Sequence, residues 1–110
     1  MRFTVWHAKH PTFDEYTRED SRLNPNRQRQ KFPVDYTKIA EVEAHNLEHL
    51  FFIGATADKP WLYAPEVRAS FVPDASVIRP VAVGDVAVDA EGNVFYCELI
   101  GWRKLRIGNI

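Results

Sequence analysis

The feature that most constrains the fold is the run from Arg79 to Trp102, where β-branched and aromatic residues bracket a short polar turn. Val81 to Val88 and Val94-Phe95-Tyr96-Cys97 are apolar stretches of strand character. Between them, Asp89-Ala90-Glu91-Gly92-Asn93 has turn chemistry: glycine accepts positive φ, and Asp or Asn hydrogen-bonds the turn backbone. Gly101-Trp102 then opens an aromatic-capped strand that closes the unit. The C-terminal half is therefore expected to be a small antiparallel sheet.

The rest of the chain must complete that sheet and cover it. Arg2 to Ala8 alternates, with Phe3, Val5 and His7 on one face and Thr4 and Trp6 on the other, which predicts a first strand. Pro11 stops it, and Thr12 is placed to cap a short turn through Asp14-Glu15. Tyr36, Lys38, Ala40 and Val42 alternate with Thr37, Ile39, Glu41 and Glu43, a second strand in which the face of Ile39 is ambiguous. Leu47, Leu50, Phe51 and Gly54 recur at helical spacing after Asn46, a good N-cap, so a helix over 46–56 with these four residues buried is expected. Trp61-Leu62-Tyr63-Ala64-Pro65 is too aromatic to stand in water and should pack back on the domain; Val67 to Val72 reads as an edge strand. The fold class implied is α+β: one domain over residues 1–110, a small, mostly antiparallel sheet packed by one main helix.

Composition narrows the function classes. The chain has 110 residues, 45% of them hydrophobic and 13% aromatic, enough for one globular core. Basic and acidic side chains nearly cancel, with a formal charge of −1, so no global field draws the chain to nucleic acid or to an anionic membrane. A single cysteine, Cys97, excludes an internal disulfide framework and fits a reducing cytosol. No apolar run approaches the ~20 residues that span a bilayer, and Met1 to Val5 has no signal-peptide core. A cytoplasmic protein without a membrane partner is expected.

The charge is unevenly distributed. Arg18, Arg22, Arg27, Arg29 and Lys31 lie among Asn, Gln and Pro with few apolar residues, which predicts an exposed basic loop at about 18–33. These cations are candidate binding residues, joined by Phe32 and Tyr36 as rings that would stack on bases. Asp14, Glu15, Glu19 and Asp20 dilute the local field, so a solvated loop or a contact to a host protein is favoured, with nucleic acid as the alternative partner.

Residues that could carry catalysis are sparse. His45-Asn46-Leu47-Glu48-His49 fits the His-x-x-Glu-His pattern of inverted zinc proteases, and residues four apart share a helix face. The chain is too short to wrap a substrate cleft around such a helix, and no third protein ligand is singled out. Two histidines facing solvent at a helix start is the favoured reading. His7 and His10 point apart on a strand that ends in proline, and Cys97 has no neighbouring positive charge to activate it. Asp85 would serve as a base only with a facing partner, which the spacing does not name. No catalytic residue, metal site or cofactor is expected.

Taken together, Asn46-Leu47-Glu48-His49-Leu50-Phe51, Arg79, Val83-Gly84-Asp85-Val86, Tyr96, Cys97, Gly101 and Trp102 form a recognisable pattern. Over roughly residues 36–105 it resembles small accessory proteins encoded by bacterial phages and plasmids, and is similar to the YodL-like domains of mobile-element proteins, with Ala82 where a serine is common. The resemblance implies a mobile-element origin and a non-enzymatic protein that binds a host macromolecule in the bacterial cytoplasm. Interference with a bacterial defence system is the role that origin suggests.

Overall fold

A computed structural model describes residues 1–9, 32–55, 60–74, 78–98 and 100–105. Among these residues six strands form one sheet: β1 (Arg2–Ala8), β2 (Tyr36–Glu43), β3 (Val67–Ser70), β4 (Val86–Asp89), β5 (Val94–Cys97) and β6 (Trp102–Leu105). The spatial order is β3-β2-β1-β4-β5-β6, and every neighbouring pair is antiparallel. The helix α1 (Leu47–Gly54) and a 3-10 turn at Trp61–Tyr63 lie between β2 and β3 in sequence. The architecture is α+β, as the sequence pattern implies.

Register decides which residues meet. Phe3 pairs with Val42 and Val5 with both Ala40 and Ala87, so these side chains share the face that α1 covers. The register between β1 and β2 then slips: Val5 faces Ala40, but Trp6 faces Lys38. Ile39 is the extra residue of a bulge, which lets Ile39 and Ala40 both be buried, in the same core cluster. A strict period of two cannot place a bulged residue, which is why its face is ambiguous in the sequence.

Two apolar clusters result, one on each side of the sheet. The first joins Phe3, Val5 and Val42 to Leu50, Ile53 and Trp61 beneath α1. The second joins Ala8, Tyr36, Val86, Val94 and Tyr96, with Trp6 and Phe32 packed against it.

The helix starts as its cap requires: Asn46 is extended and its side chain accepts a hydrogen bond from the His49 amide. The expected buried stripe needs one correction. Leu50, Ile53 and Gly54 are buried and Leu47 is half-buried, but Phe51 is 40% exposed. The helix is rotated so that Gly54 meets Val81: the Val81 amide donates to the Gly54 carbonyl at 2.8 Å, and a Cβ at Gly54 would lie 2.4 Å from Val81 Cγ2. The last expected helical residue, 56, lies outside the described residues.

The segment before β4 also differs from expectation. No strand begins at Arg79 or Val81; β4 starts only at Val86, after an irregular stretch that turns at Gly84, where φ is 99°. The 3-10 turn does pack back as expected, with Trp61 and Leu62 buried, whereas Tyr63 is 66% exposed. Among the described residues no helix is long and apolar enough to cross a membrane.

Candidate functional site

The irregular stretch before β4 delivers Asp85 to the interior, where it is 0% exposed. Its two oxygens accept four hydrogen bonds. Arg79 Nη2 and the Ala8 amide reach Oδ1 at 2.7 and 3.0 Å; Arg79 Nη1 and the Ala82 amide reach Oδ2 at 2.7 and 2.8 Å. The Arg79 fork is therefore bidentate, the strongest geometry available to a guanidinium and a carboxylate. Around it, Tyr36 Oη donates to the Gly84 carbonyl at 2.7 Å and Trp61 Nε1 to the Arg79 carbonyl at 3.0 Å. One carboxylate thus ties β1, the 79–85 stretch and the start of β4 together. Nothing in the spacing of Arg79 and Asp85 marks them as a pair, although both are among the residues that carry the resemblance noted in the sequence.

His7 lies beside this cluster, 5% exposed, with Nε2 at 3.6 Å from Asp85 Oδ2 and, among the described residues, without a hydrogen-bond partner for that nitrogen. Burial pushes its pKa down to about 4; the carboxylate of Asp85 opposes the shift and the Arg79 guanidinium adds to it. Cys97 is buried and its thiol is pushed up to about 12, by desolvation first and then by Asp85 and Glu98. These groups sit close together, but Asp85 already accepts four hydrogen bonds and the thiol is a poor nucleophile. The cluster's evident chemistry is structural.

Arg18, Arg22, Arg27, Arg29 and Lys31, the Thr12 turn and His10 lie outside the described residues. Phe32 packs edge-on against Trp6 and Tyr36, with ring centroids at 5.0 and 5.5 Å. Tyr36 is 6% exposed and its hydroxyl is committed to Gly84, so its ring is a core group and is not presented for stacking on a base. His45 and His49 stack at 4.8 Å, and His49 Nδ1 accepts from the His45 amide, so one lone pair of the pair serves the helix start. Among the described residues no group of three or more His, Cys, Asp and Glu side chains is placed to hold a metal ion.

The surface that sequence reasoning misses is the outer side of α1. Phe52 is 75% exposed, Phe51 40%, Tyr63 66% and Ile100 94%. Phe51 meets Trp102 edge-on at 6.5 Å, bridging helix and β6. The two phenylalanines make a ridge with a groove on each side. One groove, of about 290 Å³, runs between Phe51 and the Cys97–Trp102 turn; the other, of about 270 Å³, runs between Phe52 and the Trp61–Glu66 segment. The only signal available in the sequence was the unbroken run Leu50-Phe51-Phe52-Ile53, which a one-sided helix cannot bury in full.

Compared with family models, curated proteins and solved structures, the chain matches none.

Proposed function

We propose that this chain is a small accessory protein of a phage or plasmid that acts without catalysis, in the bacterial cytoplasm, by docking on a host protein through the outer face of α1. The observation that carries the reading is the aromatic ridge. Contiguous exposed apolar surface of this kind marks a binding face on a small domain, and aromatic side chains supply a large share of the energy at protein interfaces. The buried Arg79–Asp85 lock supports the reading from the other side: the residues of the mobile-element pattern explain the scaffold, and the groups with chemical potential in the core are engaged or masked. Inhibition of a host defence system is the use such docking would serve.

The test is co-purification from bacterial cells with and without Phe51→Ser plus Phe52→Ser. Phe52 is 75% exposed, whereas Phe51 is partly covered by Trp102, so the variant should stay folded at a cost of about 1–3 kcal/mol and lose a discrete protein partner that the parent retains. A variant that keeps the partner, or a parent that retains only nucleic acid in a salt-sensitive way, would move the binding role to the basic loop.

A further inference from the structure

The charges that rim the two grooves constrain what can occupy them. Glu48 and Glu98 line the groove beside Phe51, and Glu66 lines the groove beside Phe52; among the described lining residues there is no lysine or arginine. Glu98 is already bridged by Arg103, whose guanidinium also lies over Tyr96, 5.5 Å from the ring centroid. The Glu48 and Glu66 carboxylates form no ion pair or hydrogen bond with the described residues. Any partner that covers the ridge desolvates these two carboxylates, at a cost unless it brings them donors. A second copy of this face would set acid against acid, and a phosphate backbone would be repelled in the same way.

Resting on the reading of the α1 face as the docking surface, we infer that the occupant is a cationic amphipathic segment of a partner protein. A bulky apolar side chain of that segment sits in the groove between Phe51 and Trp102, and lysine or arginine side chains reach Glu48 and Glu66. The acidic rim sets the choice of partner and the approach, while the apolar ridge provides most of the affinity.

Two fluorescent helical peptides with identical apolar spacing test this, one carrying Lys and Arg at the remaining positions and one carrying Glu. Anisotropy titrations should show the cationic peptide binding at least about tenfold more tightly, with the margin shrinking as salt rises. Glu48→Gln with Glu66→Gln should erase most of that margin and leave the melting temperature nearly unchanged, since Glu48 is exposed, Glu66 is half-buried and the isosteric amides keep their shape. Phe51→Ser with Phe52→Ser should abolish binding of both peptides. Equal binding of the two peptides, lost in the phenylalanine variant, would overturn the inference about charge while the docking face stands. Cationic binding that survives the phenylalanine variant would overturn the docking face itself. Saturable binding of a duplex oligonucleotide by the protein in the absence of peptide, a dimer in sedimentation equilibrium that Phe52→Ser dissociates, or no binding of either peptide would each sink the proposed partner chemistry.

Discussion

Removing the Asp85 carboxylate should be the most damaging small change in the described core. In Asp85→Ala the buried Ala8 amide and the half-buried Ala82 amide lose their acceptor, and an orphaned buried donor costs about 1–3 kcal/mol. Arg79 loses both arms of its fork, but its side chain is 27% exposed and it keeps the Pro80 carbonyl at 3.0 Å, so it can turn partly to solvent. The net loss expected is about 3–5 kcal/mol, the range for breaking one side of a buried ion pair. Arg79→Met should cost a similar amount, because it strands a carboxylate that is 0% exposed. The double variant should lose clearly less than the two single losses added together, since it strands no charge. Urea melts at neutral pH followed by tryptophan fluorescence suit the question, because buried Trp61 donates to the Arg79 carbonyl. Single losses under about 1 kcal/mol, or strict additivity in the double variant, would refute the account of the lock.

Other outcomes follow from the same packing. Leu50→Ala should cost about 2–5 kcal/mol in a thermal or chemical melt, whereas Phe52→Ser, one turn face away, should be close to neutral. Gly54→Ala should destabilise by about 1–3 kcal/mol, because the new methyl meets Val81 across a backbone hydrogen bond that holds the two segments together. His7 has a folded-state pKa below its unfolded value of 6.5, so the unfolded chain takes up the extra proton; stability is intact above about pH 6.5 and falls as pH drops toward 4. That loss amounts to about 3 kcal/mol at most, and His7→Leu should flatten the slope of stability against pH in this window.

The outline of the fold is legible in the chain because its signals are local. The alternation of Phe3, Val5 and His7, the Asn46 cap and the Asp89–Asn93 turn each act within a few residues, and in the structure Asp89 does hold the Glu91 and Asn93 amides at 2.9 Å. The errors lie where tertiary contact decides. Leu50 to Ile53 are all apolar, so it is tertiary packing, including the seat of Gly54 on Val81, that selects Ile53 for the core and turns Phe51 and Phe52 outward. The ion pair escapes sequence reading because it is formed through an irregular loop and not along a helix or strand period. The binding face escapes for a related reason: an exposed phenylalanine and a buried one are the same letter, and only the placement of the helix separates them.

The central claim is that the outer face of α1 is where the partner sits, and site-specific photo-crosslinking in bacterial cells addresses it directly. Benzoylphenylalanine placed in turn at positions 52, 63 and 100 should give one shared protein adduct, and the same residue at positions 22, 27 and 34 should not. Adducts confined to 22, 27 and 34, with none at 52, would contradict the account and put recognition on the basic loop.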